Sequence, residues 1–518
     1  MRKIFFSLLS FLLVFTNVYS QNVLPTQPKG EIIYHVFQRS FYDSNGDLNG
    51  DLNGLKEKLD YLQELGVTSI LLLPFFDSDC YHNYFANDFE RIDPSFGTMN
   101  DYIALVKEVH RRGMKIYLDM ETQYVTDKHI WWKDAVGNLK SPYSNYILFQ
   151  DSAHTKPSTI VYNITELDTY DGKKIKLTTV NLKSKEVLDY NIKLFSFFAD
   201  PDKDGVFDDG ADGFRLDHMM DDLDNKPELT NLFADFWTPL IRQIKKINPK
   251  IKFIAEQANW LNYGFDYFKK ADVDMVFGFW LTWSITSLNK EQITKRADTI
   301  LGMTPKGKEQ IIFLENHDID RSASTLKKDP LKEKAVAAIY LLIGGTPSVY
   351  YGQELGMFGK GITGAAANTD GKDIPRREAF EWYRSDSGKG MAVWYKDSGP
   401  WWDHRNIIPN DGISLEEERS GKNSLFNFYK TLIRLRKGNP ALSYGSYQTI
   451  NNNNDSVLTF LRSDGINKVL VAANLSGEIQ KVKPELKARK FSILFGNIRY
   501  IKKGFKLKPY EIAVWSTR

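Results

Sequence analysis

Short apolar runs recur along the chain, and most are separated by longer stretches whose apolar positions repeat at helical spacing. The runs Glu31–Val36, Thr68–Pro74, Lys115–Asp119, Gly213–Asp217, Phe253–Glu256, Met275–Phe279, Ile311–Glu315 and Ser348–Tyr351 read as strands. Between them, segments such as Leu55–Leu65, Asp101–Arg112, Leu229–Ile247 and Lys332–Leu342 read as amphipathic helices. Parallel strands need a crossover, and a helix between each pair supplies one. Eight such units predict an α/β fold, a closed (β/α)8 TIM barrel rather than an open sheet.

The alternation breaks over residues 123–185, where a polar stretch rich in Thr, Ser, Asn and Asp predicts a domain inserted after the third strand. It breaks again from Ala441, where VLTFLRS and KVLVAANLS are separated by NNNND and SDGIN, the pattern of an all-β domain over residues 441–518. The barrel is then expected over 21–122 and 186–440. At the start, MRKIFFSLLSFLLVFTNVYSQ joins a basic end to an apolar run from Ile4 to Phe15 and small residues before Gln21. Residues 1–20 therefore read as a cleaved signal, which predicts an exported protein, periplasmic or extracellular. The run is shorter than the roughly 20 residues that span a bilayer, and no cysteine follows it for lipidation, so no stable membrane anchor is expected.

The 518 residues, 42% hydrophobic, suffice for a large core. A formal net charge of +3 gives no reason to expect nucleic acid or an anionic membrane as partner. Cys80 is the only cysteine, so stability has to come without an internal disulfide.

The segment GFRLDH, Gly213 to His218, carries the most chemistry. Side chains alternate along a strand, so Arg215 and Asp217 face the same way, and an arginine beside a carboxylate favours the ionised form a nucleophile needs. Two later strand ends, FIAEQ with Glu256 and FLENHD with His317 and Asp318, bring further acids to the C-terminal face where barrel enzymes gather catalytic groups. Such a trio suits cleavage of a glycosidic bond: one carboxylate attacks the sugar carbon, a protonated one donates to the leaving oxygen, and the third stabilises positive charge. The apolar Phe253, Ile254 and Ala255 before Glu256 predict a raised pKa for the acid role. His317 is placed to donate to a sugar hydroxyl. Each acid alone fits a strand-end ion pair; the three in this order do not.

With GFRLDH, FIAEQ and FLENHD in order, YHNYFANDFERIDPSFGT at Tyr81 to Thr98 and GGTPSVYYGQELGM at Gly344 to Met357, the chain resembles the α-amylase family of glycoside hydrolases. The resemblance covers nearly all of the mature sequence. It implies a (β/α)8 barrel with a loop domain after the third strand, a C-terminal antiparallel β-sandwich, and retaining hydrolysis of α-glucosidic bonds in starch or malto-oligosaccharides. By that likeness Asp217 is the nucleophile, Glu256 the acid/base and Asp318 the transition-state stabiliser. Arg215, His317, His82 and Tyr84 would surround the sugar being cleaved, with Tyr84 stacking on its ring. An exo-acting α-glucosidase or oligo-1,6-glucosidase, or a transglycosylase, is the near alternative. A non-catalytic glycan-binding relative is disfavoured because all three acids are kept.

The chain departs from the family after the third strand, where Asp119 is followed by Gln123 and Tyr124 in place of Asn and His. In many members that asparagine helps bind a calcium between barrel and loop domain and that histidine touches the reactive sugar, so neither contact carries over. The fifth family region is weakly matched by LTTVNLKSKEV at Leu177 to Val187, and Met220 and Asp221 replace the Lys and His common in α-amylases.

Two acidic loops suit Ca²⁺, which takes oxygen ligands at alternating positions around tight turns. DSNGDLNGD, Asp43 to Asp51, resembles the calcium loop after the first strand in the oligo-1,6-glucosidase branch, which implies Asp43, Asn45, Asp47 and Asp51 with the Asn49 carbonyl. Its alternative is a pair of turns with no ion. DPDKDGVFDDG begins with Asp200, Asp202 and Asp204 and continues to Asp208 or Asp209; a solvated acidic loop is its alternative. The pairs Trp131–Trp132 and Trp401–Trp402 are expected in loops, where flat rings suit glucose faces.

Overall fold

The structure is a computed structural model and describes residues 30–364, 368–402, 407–486, 490–498 and 504–517. Eight parallel strands close into a barrel: β1 (Ile33–Val36), β2 (Ser69–Leu72), β3 (Lys115–Met120), β4 (Gly213–Met219), β5 (Lys252–Gln257), β6 (Met275–Phe277), β7 (Glu309–Ile312) and β8 (Thr346–Tyr350). Each pairs with its neighbours in chain order, and β8 closes on β1 through Ile33 opposite Ser348. The eight strands fall where the apolar runs predict them, with ends that move. The sixth stops at Phe277 because a helix, Phe279–Thr286, begins directly after Gly278. The stretch Leu229–Ile247 holds a π-helical turn, Phe233–Trp237, before the α-helix Thr238–Ile247.

Ile33, Leu71, Tyr117, Ile254, Met275, Phe277, Ile311 and Phe313 fill the barrel's interior, so it is a packed core and not a pore. A second shell of apolar side chains joins the strands to the outer helices, which explains the near-continuous apolar character of the strands. The helices begin where the chain supplies caps. Thr98 and Asp101 form a reciprocal capping box at Met99–Arg111, and Asp329 caps Pro330–Ile343 with a proline in the first turn.

After β3 the chain leaves the barrel to form a small antiparallel sheet of Tyr124–Thr126, Lys174–Thr179 and Glu166–Asp168. It returns through the helix Lys185–Ala199, which Ser184 caps. At the C-terminal end a five-stranded antiparallel sheet orders Ser446–Thr449, Val457–Ser463, Lys468–Asn474, Ile512–Thr517 and Phe491–Phe495. A strand pair, Gln480–Val482 with Phe505–Leu507, shares a separate core with it through Val482, Phe505, Leu470 and Trp515. Among the described residues no helix is long and apolar enough to cross a membrane; the expected signal, residues 1–20, lies outside them.

Candidate active site

The site is built on β4. Gly213 opens that strand because a Cβ there would stand 2.2 Å from the Lys252 carbonyl oxygen of β5. Register then sets Arg215 opposite Asp119 on β3 and Ile254 on β5. Arg215 is 1% exposed. Its Nη1 donates to Asp119 Oδ1 at 2.9 Å and Oδ2 at 2.8 Å and also to Asp217 Oδ1, while Nη2 donates to Glu256 Oε2 at 2.8 Å. One guanidinium thus binds carboxylates from three adjacent strands.

Pairing of β4 with β5 runs from Gly213 opposite Lys252 to Leu216 opposite Ala255, then resumes at Met219 opposite Gln257. Asp217 and His218 therefore share the space opposite Glu256, a bulge that re-aims side chains. His218 takes a left-handed conformation, φ 42°, and its amide donates to Glu256 Oε2 at 3.0 Å. Trp260 Nε1 donates to Glu256 Oε1 at 3.2 Å, so both oxygens of that carboxyl are held.

Asp318 lies past the end of β7, in a turn where Asn316 Oδ1 accepts from the amides of Asp318 at 2.9 Å and Ile319 at 3.1 Å. Its carboxylate meets His317 Nε2 at 3.1 Å and Arg377 Nη2 at 3.4 Å. The Tyr84 hydroxyl donates to Asp119 Oδ2 at 2.8 Å and sits 2.7 Å from His317 Nε2, with the two rings stacked at 5.4 Å. His82 Nδ1 accepts from the Tyr84 amide at 3.1 Å. Asp217, Glu256, Asp318, His317, His82 and Tyr84 all line one cavity of about 620 Å³. Arg215 lies beneath it.

Crowded acids shape the charges. Burial pushes Asp217 well above the usual carboxylate range, and Glu256, Asp119 and Asp318 add to this against the opposing Arg215. Burial and Glu256 lift Asp318 to about 7, with Arg377 opposing. Asp119, raised by burial against Arg215, reaches about 6. For Glu256 burial also pushes upward, but Arg215, the His218 amide and its contact with Asp217 carry it below its ordinary value. The sequence-based expectation was the reverse, an ionised Asp217 and a raised Glu256. The difference arises because Asp217 shares its Nη1 with Asp119, whereas Glu256 has Nη2, an amide and an indole to itself. Burial keeps His317 and His82 well below the ordinary histidine value, so both are neutral at pH 7.

A family model described as "Alpha amylase, catalytic domain" matches residues 35–445. The chain belongs to the α-amylase family of glycoside hydrolases. Alpha-amylase 3 of Dictyoglomus thermophilum is 30% identical over 460 residues, covering 86% of this chain and 85% of that one. Probable oligo-1,6-glucosidase 3 of Bacillus subtilis is 26% identical over 523 residues, covering 87% and 91%. The crystal structure of the α-amylase from H. orenii matches with a TM-score of 0.78 at 27% identity, covering 95% of this chain and 100% of that one.

In this α-amylase-family hydrolase the departures after β3 have structural partners. Gln123 Nε2 donates to the Asp217 carbonyl at 2.5 Å, and the Tyr124 hydroxyl donates to Asp224 Oδ2 at 2.8 Å. Asp221 accepts from the Phe233 amide at 2.8 Å and so holds the start of the π-helical turn. Glu121, which the sequence reading passed over, also lines the cavity. Its position two residues after Asp119, just past the end of β3, was the available signal. Trp260, Tyr162 and Arg377 were missed as well; they arrive on loops or short turns without periodic signal.

The acidic loops differ from each other. In the first, Asp43 accepts from the amides of Asn45, Gly46 and Leu48, and Asp51 from those of Ser44 and Gly54. Asn45 and Asp47 accept from Asp47 and Asn49 amides, and Arg39 donates to the Asn49 side chain. The loop's oxygens are turned inward on its own backbone, and no three of its carboxylates lie among the acid groups that converge within 4.8 Å in the described residues. In the second loop Asp200, Asp202 and Asp209 do converge. Asp209 stands in the place expected for Asp208, whose side chain is exposed and whose carbonyl is bound by His110, and Asp204 caps the Val206 amide. The tryptophan pairs are not platforms: Trp131 is 2% exposed within the helix Ile130–Ala135, Trp401 is 6% exposed, and none of the four lines the cavity.

Proposed function

We propose that this hydrolase cleaves α-1,4-glucosidic bonds of starch or malto-oligosaccharides with retention, outside the cytoplasm. The observation that carries the reading is the arrangement of Asp217, Glu256 and Asp318 around one cavity, with Arg215 beneath it tying two of them together. In the first half-reaction a carboxylate oxygen of Asp217 bonds to the anomeric carbon as the bond to the leaving oxygen breaks, and Glu256 gives that oxygen its proton. In the second, Glu256 takes a proton from water as the hydroxyl oxygen displaces Asp217, which restores both acids. Asp217 and Glu256 lie in hydrogen-bonding contact, so the proton they share has to rest on Glu256 when sugar binds. Asp318, with His317 and Arg377 behind it, faces the ring where positive charge develops.

An α-1,6-directed exo-glucosidase is the second reading, favoured by the relative named as an oligo-1,6-glucosidase. Purified protein and an Asp217→Asn variant, each incubated with starch, maltotriose, isomaltose and pullulan, separate the two by product analysis. Maltose and short malto-oligosaccharides from starch support the first reading, and glucose from isomaltose with starch untouched supports the second. If the wild type releases no more sugar than the variant from any of them, both are wrong.

Export rests on residues 1–20 and is tested by the N-terminal mass of protein recovered from its native host: an intact Met1 would overturn it. Calcium is the cation proposed for the Asp43–Asp51 loop by its resemblance, and no step of the reaction is routed through it.

A further inference from the structure

The loop between the helix Lys185–Ala199 and β4 carries Asp200, Asp202, Asp204, Asp208 and Asp209 against a single lysine, Lys203. One carboxylate oxygen each from Asp200, Asp202 and Asp209 lies within 4.8 Å of the others. Asp200 is 7% exposed and Asp209 1% exposed, yet Oδ1 of each is buried without a hydrogen-bond partner. No lysine or arginine among the described residues forms an ion pair with any of the five. Two buried carboxylates that each leave an oxygen without a donor and have no ion-pair partner are costly unless a cation fills the space between them.

The backbone holds this arrangement from both sides. Gly205 donates to Asp200 Oδ2 at 3.1 Å, leaving Oδ1 free. At the other end the Ala211 amide donates to the Phe198 carbonyl at 2.8 Å, and Gly210 passes so close that a Cβ would stand 2.0 Å from the Ala199 oxygen. That closure brings Asp209 back beside Asp200. The geometry points to a divalent-cation site made by Asp200, Asp202 and Asp209, and its all-oxygen, flexible donor set selects Ca²⁺. Hard carboxylate ligands on an adaptable loop suit Ca²⁺, whereas Mg²⁺ demands near-octahedral geometry and gives up its waters reluctantly. The loop enters β4 three residues before Gly213, so the ion would fasten the strand that bears Arg215 and Asp217 to the preceding helix.

The test uses the full-length purified protein stripped of metal, then titrated calorimetrically with CaCl₂ or MgCl₂ and melted with and without each ion. Wild type, Asp209→Asn, Asp202→Asn and, for the first loop, Asp47→Asn are compared. The expected result is a Ca²⁺-binding event that Asp209→Asn and Asp202→Asn weaken about tenfold or more and Asp47→Asn leaves in place. Asp209→Asn should melt no lower than wild type when both are stripped, since the isosteric amide removes repulsion. Asp202 is exposed, so its variant answers for binding even if Asp209→Asn fails to fold. Unchanged Ca²⁺ binding in both second-loop variants, no Ca²⁺ binding by the wild type, or tighter binding of Mg²⁺ than of Ca²⁺ would each overturn the assignment. None of these readouts depends on the substrate.

Discussion

The Gln123 side chain reaches 2.5 Å to the backbone carbonyl of Asp217, which ties the end of β3 to the main chain of the nucleophile. Gln123 is fully buried, and its own carbonyl accepts from the Val180 amide of the inserted segment at 2.8 Å. It therefore joins three parts of the molecule. Gln123→Ala leaves the Asp217 carbonyl without this donor and is expected to cost about 1–3 kcal/mol of stability. The expected kinetic effect is a fall in kcat with little change in KM, since the altered element is the position of the nucleophile. Denaturant unfolding together with steady-state kinetics checks this; wild-type kcat in the variant would refute the positional role.

Glu121 accepts from the Gln123 amide at 2.6 Å through Oε1, while its buried Oε2 has no donor and the carboxyl faces Asp217. Two carboxyls make such a contact only while one keeps its proton. Burial and Asp217 push Glu121 well above its ordinary value, which favours its neutral form. A raised acid supports folding at low pH, and that support is lost as pH rises through its folded pKa. Glu121→Gln keeps a neutral donor at every pH, so the alkaline limb of kcat/KM is expected to move to higher pH. A profile of kcat/KM from about pH 5 to 9 measures it; coincident alkaline limbs would count against the contact.

Trp260 gives the acid/base its indole donor and stacks on Phe279 at 4.6 Å. Trp260→Phe retains the ring and loses only the N–H, so kcat/KM should drop about tenfold, the kinetic equivalent of about 1.4 kcal/mol. Trp260→Ala removes the cavity wall as well and should add a rise in KM. Wild-type kcat/KM in Trp260→Phe would show that only the ring matters.

A third acid reports on stability rather than catalysis. Glu381 is 3% exposed, and burial together with Asp411 and Glu417, against Arg321, pushes it up from 4.5 to about 8. Between those values the folded chain holds a proton that the unfolded chain has released, so stability falls as pH rises, by at most about 1.4 kcal/mol per pH unit for one group. Glu381→Gln should flatten the dependence of the unfolding midpoint on pH between 4.5 and about 8. An unaltered slope would contradict a buried neutral Glu381.

The barrel was legible because a parallel strand covered on both faces must be apolar throughout, and few other elements leave that mark eight times. The acids of β4 and β5 were legible for a related reason: a charged residue at the end of such a strand has no packing role. Proton placement was not legible, since it depends on which guanidinium nitrogen meets which oxygen, a matter of angles across three strands. Nor was the choice of Asp209 over Asp208, which the closure at Gly210 decides. Trp131 looked like a loop residue, but it is buried among Phe89, His129, Tyr146 and Tyr190, where its area contributes more than it would against sugar.

The left-handed peptide at His218 gives the two halves of the reaction a common mechanical reference. Because the amide that grips Glu256 belongs to the residue next to Asp217, the spacing between nucleophile and proton donor is held by main chain, where a side-chain substitution elsewhere does not loosen it.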